Sequence, residues 1–154
     1  PHRDIVLHPY FLKIFRQRWY VTGLNTAEDK IKTYALDRIV SMRVTDDSYT
    51  IPGYFDASAY FRDSYGIVFN QGEVKEVILR VDARQAKYFR ALPLHRSQQE
   101  TVSDGYSLFT YRIKISDDFV QELLSYGPSV TVVRPAELRA IVTTSLRASL
   151  ANYD

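Results

Sequence analysis

The chain has 154 residues, 45% of them apolar and 25% charged, with a net charge of +2; these values fit a folded globular protein of one ordinary domain or two small ones. Cysteine is absent, which removes disulfides, thiolate nucleophiles and cysteine-based metal sites, and no apolar run, signal peptide or lipidation motif marks a membrane protein. Twelve tyrosines and eight phenylalanines suit half-buried sheets and wet binding surfaces, because a phenol joins apolar area to a polar tip.

The chain opens at Pro1 and runs at once into a strand-like pattern, so it is expected to be a fragment with a further segment upstream. Residues 10–15 form an aromatic and aliphatic run, with Pro9 expected at its start, where no ladder donor is needed. Gln17-Arg18 is read as the turn into a second strand over 19–24. A polar turn over 25–29 leads to a third strand over 30–36, and 38–44 are expected as a fourth, ended by Asp46-Asp47-Ser48. Short antiparallel strands with tight turns predict a small β-barrel or a strongly bent sheet. Residues 55–63 lose the period of 2 and read as a short helix after Pro52-Gly53, and Asn70-Gln71-Gly72 is the best boundary signal. Two domains are therefore expected, over 1–71 and 72–154.

The second unit starts with an alternating strand over 76–81, followed by helical composition over 83–92 that stops at Pro93. Strands over 96–103 and 106–115 are joined across Asp104-Gly105, a strong hairpin signal. Ser116 is a good N-cap, and Asp117 and Asp118 favour the positive end of the helix dipole. Phe119, Val120, Leu123 and Leu124 form the apolar stripe, and Gly127 before Pro128 ends it. A strand over 129–133 precedes a last helix with Pro135 at its first position. The order β-α-β-β-α-β-α predicts an α+β unit of ferredoxin-like layout.

Eight basic residues (Arg3, Lys13, Arg16, Arg18, Lys30, Lys32, Arg38, Arg43) face four acidic ones (Asp4, Glu28, Asp29, Asp37) in the first 45 positions, an excess able to steer an anion. Residues two apart in a strand share a face. Trp19, Val21, Ile31 and Ala35 are accordingly expected in the core, leaving Arg18, Tyr20, Lys32, Tyr34 and Arg38 for a ligand. Guanidinium forks match phosphate oxygens and aromatic rings stack bases. His8 is a further candidate at the rim. In the second unit His95, Ser97 and Gln99 are placed on one strand face and Arg96 and Gln98 on the other. His95, Ser97 and Gln98, with Arg134 and Arg139 at the start of the last helix, form a second set of candidate contacts. No motif supplies a carboxylate or an oxyanion hole for a His/Ser pair, so no catalytic residue is assigned. The three histidines lack ligand spacing, and Walker A, GxGxxG and HExxH motifs are missing, so neither metal nor cofactor is expected.

His8-Pro9-Tyr10, Arg18-Trp19-Tyr20-Val21 and Tyr34-Ala35-Leu36-Asp37-Arg38-Ile39 together resemble the signature of a WYL domain, with Val21 in place of the leucine that gives the name. Leu94-His95-Arg96-Ser97-Gln98, Ser125-Tyr126-Gly127, Val132-Val133-Arg134-Pro135 and Leu138-Arg139 resemble the extension that commonly follows it. The resemblance implies an Sm-like or SH3-like barrel in the first unit. It also implies the effector-sensing part of a cytoplasmic bacterial transcription regulator, with single-stranded nucleic acid or a nucleotide as the anionic ligand. Promoter DNA would be read by a helix-turn-helix domain outside this chain, and a homodimer is expected. Two other classes compete: a purely structural dimerisation module, and an enzyme acting on nucleotides.

Overall fold

The computed structural model describes residues 4–66 and 72–153. Contacts divide the chain into two compact units, Pro1–Arg62 and Asp63–Asp154. The expected junction at residues 71–72 abuts positions 67–71, which lie outside the described residues, as does most of the boundary signal there. No helix among the described residues is long and apolar enough to cross a membrane.

The first unit is an antiparallel meander of β1 (Leu7–Phe15), β2 (Arg18–Asn25) and β3 (Lys30–Ala35). Arg16 and Gln17 join β1 to β2, both with positive φ (50° and 62°). Such two-residue turns match the twist of the flanking strands. They usually carry glycine or asparagine, so nothing here marks the turn, and Arg18 becomes the first residue of β2 rather than part of the turn. Pro9 lies inside β1, where the register shifts between Pro9 and Phe11. An edge strand with a bulge tolerates the missing donor.

Two further expectations for this unit fail. A fourth strand over 38–44 does not form. Leu36–Arg38 make a 3₁₀ turn, closed by Ile39 N–H donating to Leu36 O at 3.2 Å. The turn takes the chain off the ladder, and Val40, Met42 and Val44 stay exposed. The sheet is therefore open, not a closed barrel. Trp19 is not core either: it is 50% exposed. It pairs with Ile14, itself 55% exposed, on the side of the sheet away from the packed face.

The packed face carries Phe11, Tyr20 and Thr22. Phe55, Tyr60 and Phe61 cover it from the one-turn helix α1 (Ala57–Tyr60) and its flanks. Phe11 meets Phe55 at 5.9 Å and Phe61 at 5.7 Å between centroids. Thr22 and Thr33 share a hydroxyl hydrogen bond of 2.7 Å across the strands, which satisfies a fully buried polar side chain. Asp56 caps α1 by accepting from Ser58 N–H at 2.8 Å.

The second unit runs β4 (Val74–Asp82), α2 (Ala83–Ala91), β5 (Gln99–Ser103), β6 (Tyr106–Lys114), α3 (Asp117–Ser125), β7 (Val130–Arg134) and α4 (Ala136–Leu150). This is the element order that the hydrophobic pattern predicts. The sheet is antiparallel throughout, in the order β5-β6-β4-β7. Val77, Leu79 and Val81 alternate on β4, and Phe109, Tyr111 and Ile113 on β6, all fully buried. Phe89 of α2 packs edge-on to Phe109 at 5.3 Å and Tyr126 at 5.0 Å. Phe119 of α3 meets Tyr65 at 5.5 Å. Lys114 N–H donates to Asp63 O at 2.7 Å, and Ser64 bridges to Lys114, so residues 63–65 belong to this unit.

Local signals locate most of its boundaries. Ser103 pairs with Tyr106 across Asp104-Gly105, with Gly105 at φ 77°. Ser116 Oγ accepts from Phe119 N–H at 3.2 Å, and Gly127 at φ 55° follows the end of α3. Pro135 is the cap of α4 rather than its first residue. Residues 95–98 are a turn and not strand, since Gln98 N–H donates to His95 O at 3.0 Å, so the expected alternation of faces over 95–99 does not exist.

Candidate ligand-binding face

The β2–β3 loop leaves four residues, 26–29, between the paired Asn25 and Lys30. Tyr20 is consequently opposite Ala35, and Val21 opposite Tyr34. Directly opposed residues share a face, so Lys32 and Tyr34 lie on the Trp19 side, away from Arg18 and Tyr20. The single mixed face expected from the sequence is thus two faces, and for the same reason Ile31 and Ala35 lie on the Arg18 side, away from Trp19 and Val21. Lys32 is paired with Glu28, and the Tyr34 hydroxyl accepts from Asn25 Nδ2 at 2.8 Å.

On the other face Arg18 directs Nε and Nη2 onto Asp37 Oδ2 at 3.0 and 2.6 Å. The hydrogen-bonded carboxylate raises the already high Arg18 pKa. Both side chains are exposed, so the pair contributes little stability; its effect is to orient the guanidinium. It also ties the Leu36–Arg38 turn to the start of β2, leaving Arg38 exposed one residue beyond Asp37. Arg38 makes no salt bridge among the described residues. Tyr20 is only 8% exposed. It supports Arg18, whose guanidinium lies 6.0 Å from the ring centroid, and offers no open platform for a base.

The bulge in β1 changes the strand's phase, so His8 falls opposite Leu24 on the Arg18 side. Its ring stacks on Tyr49 at 4.5 Å with 10° between planes, and the Tyr49 hydroxyl donates to Pro9 O. Leu24 and Arg18 are six β2 residues apart, about 20 Å at strand rise. His8 and Arg18 therefore mark opposite ends of the face and do not form one pocket. Sequence reasoning passed over two residues here. Lys13 pairs with Tyr20 and shares the Arg18 face; the lone charge in an aromatic and aliphatic run was its available signal. Nothing in the sequence pointed to Tyr49, which meets His8 from 41 positions away.

In the second unit His95, Ser97 and Gln98 hydrogen-bond within the fold. His95 Nδ1 lies 2.7 Å from Ser97 Oγ and accepts from Ser97 N–H at 3.2 Å, while Arg112 N–H donates to Ser97 Oγ at 2.9 Å. Ser97 fastens the turn to β6, and His95 braces Ser97 within the turn. Gln98 Nε2 donates to Phe89 O at 2.8 Å, and its Oε1 accepts from Leu94 N–H at 3.2 Å and the Tyr111 hydroxyl at 2.8 Å. Burial pushes the Tyr111 phenol pKa up, so the hydroxyl stays a donor. Gln98→Ala strands three polar groups at once. An unsatisfied buried group costs about 1–3 kcal/mol, so urea unfolding should show a loss of about 2–3 kcal/mol, and a loss below about 1 kcal/mol would contradict the clamp.

Arg90 holds Glu100 through Nε and Nη2 at 2.6–3.0 Å, and Ser107 Oγ donates to the same carboxylate at 2.6 Å. Arg90 first, then Ser107, keeps the Glu100 pKa below its usual range. Arg134 ends β7 and Arg139 sits on α4, both exposed. Glu137 occupies the first turn of α4 and pairs with Lys75 at 3.2 Å. No group of three potential metal ligands is present among the described residues.

Two family models match the chain. The WYL domain matches residues 1–44 and the WCX domain residues 73–150. No curated protein matches the chain. Among solved structures it is similar to proteasome accessory factor B/C (PafBC) of Arthrobacter aurescens, at 26% identity over 94% of this chain. The match spans only 22% of that protein, and the superposition is loose, with a TM-score of 0.41. The chain belongs to the WCX domain family and carries a WYL domain in its first 44 residues.

Proposed function

We propose that the WYL unit senses a phosphate-bearing ligand, single-stranded nucleic acid or a nucleotide, as the effector part of a bacterial transcription regulator working in the cytoplasm. The WCX unit would support a homodimer, and the strand order β5-β6-β4-β7 favours a ferredoxin-like reading of it. Promoter DNA would be read by a domain outside this chain. Ligand binding would favour one arrangement of the regulator and so bias that domain by linkage.

The observation that carries this reading is Arg18, steered by Asp37 and followed by the exposed Arg38 on the same turn. A guanidinium fork suits phosphate oxygens, and the turn held by Arg18 carries a second exposed arginine, Arg38. Arg134 and Arg139 are secondary candidates in the WCX unit; Lys32 and Tyr34 would belong to a different face of the WYL unit. The test is fluorescence anisotropy of a labelled oligothymidylate. A lost charge-assisted hydrogen bond is worth about 1.5–3 kcal/mol, so Arg18→Ala and Arg38→Ala should each weaken binding roughly tenfold or more. A purely structural dimerisation module would leave binding unchanged in both variants.

A further inference from the structure

The outer strand of the WYL sheet is patterned backwards at its centre. Leu12 and Ile14, both apolar, point outward and are 56% and 55% exposed. Lys13 between them points inward and is half-buried, with Nζ 4.1 Å from the Phe61 ring centroid. Its neighbours on that face are Phe11, Phe15 and, directly across the ladder, Tyr20. Burial works against the ammonium and lowers its pKa. A charge turned toward an aromatic core costs stability that an apolar residue would not, and such breaches of local pattern concentrate at functional positions.

The register also sets a distance. Lys13 opposes Tyr20, and Arg18 lies two residues further along β2 on the same face. Diagonal neighbours of this kind stand about 7–8 Å apart, close enough for two cations to hold one phosphate group or two adjacent ones. The ring of Phe61 steadies the ammonium without neutralising it. The partially desolvated position strengthens its attraction for an anion.

We infer that Lys13 is a phosphate-anchoring residue of the WYL unit, paired with Arg18 and contributing a point charge where the arginine contributes a fork. This assignment rests on the proposed reading of the Arg18 face as phosphate-binding. It takes the phosphodiester of a single strand or the phosphates of a free nucleotide, and the two are separated by probing with an oligothymidylate and with ATP.

The experiment measures affinity of the full chain for both probes across a salt series, in four variants. Lys13→Met keeps the apolar stem and removes the charge; Lys13→Arg keeps the charge; Lys87→Gln makes the same net-charge change on the exposed face of α2. Circular dichroism melting confirms folding of each. Expected are a loss of about tenfold or more in Lys13→Met for the probe that binds, and, for the oligothymidylate, a salt slope reduced by about 0.7. Lys13→Arg should recover most of the affinity, and Lys87→Gln should stay within about twofold of the parent; Arg18→Ala is the positive reference. If the parent binds and Lys13→Met matches Lys87→Gln, the assignment is wrong while the reading of the face stands. Aggregation of Lys13→Met with unchanged affinity would show a charge that guards an edge strand, and also overturns it. If the parent binds neither probe at low salt, both fall together.

Discussion

Phe109→Ala should lower the stability of the second unit by about 3–5 kcal/mol, the range for removing a buried aromatic side chain. Phe109 is fully buried at the centre of β6, opposite Leu79 of β4. It is also the ring on which Phe89 of α2 rests, and Phe89 in turn meets Tyr126 after α3. The truncation leaves a cavity beneath α2, and the edge-to-face pair with Phe89 is lost with it. A domain of this size is commonly stable by only about 5–15 kcal/mol, so much of the margin would go. Urea unfolding should show a lower midpoint with an unchanged slope. A loss under about 1 kcal/mol would mean that Phe109 does not organise this core.

Gly23→Ala is the corresponding lesion in the first unit, and it acts by crowding rather than by emptying. A Cβ at position 23 would stand 2.2 Å from the His8 carbonyl oxygen and 2.8 Å from Pro9 Cα. Both are backbone atoms of β1, at the bulge that sets the phase of the strand. No rotamer relieves such a contact, so β1 must move away from β2. The expected loss is about 3 kcal/mol, at the upper end for overpacking, and Gly23→Val should be worse. Hydrogen exchange should show amides of β1 opening first, while those of the second unit keep their protection. Parent-like protection in β1 would refute the close approach.

Legibility differed between the two units for a physical reason. In the second, the signals are local: alternation over 76–81, a glycine in the left-handed region at the β5–β6 turn, a serine accepting a helix amide, a glycine after α3. Each acts within a few residues of the position it marks. In the first unit the decisive quantities are not local. Whether Arg18 faces with Tyr34 or against it depends on the number of residues left unpaired between β2 and β3, and one residue of parity flips a strand. His8 joined the Arg18 face only through the bulge near Pro9.

Trp19 shows the same limit. A single tryptophan in a small sheet is expected inside, yet here the interior is supplied by Phe11, Phe55, Tyr60 and Phe61 from β1 and the α1 region, and Trp19 is left beside Ile14 on the outer face. Likewise the chemistry of His95, Ser97 and Gln98 suggests ligand contacts, but His95 and Ser97 bond each other, Ser97 bonds the β6 backbone at Arg112, and Gln98 bonds Phe89 O, Leu94 N–H and the Tyr111 hydroxyl. Of the first-unit candidates, Arg18 is ion-paired with Asp37 and Arg38 is exposed on the turn that follows β3.

The most direct test is the salt dependence of oligothymidylate binding by the unsubstituted protein. Single-stranded nucleic acid releases about 0.7 counterion per phosphate neutralised. Contacts from Arg18, Arg38 and Lys13 should give binding at low salt that weakens between about 50 and 200 mM with a log–log slope near −2. Absence of binding of both oligothymidylate and ATP at low salt, or binding indifferent to salt, would contradict a phosphate-sensing WYL unit.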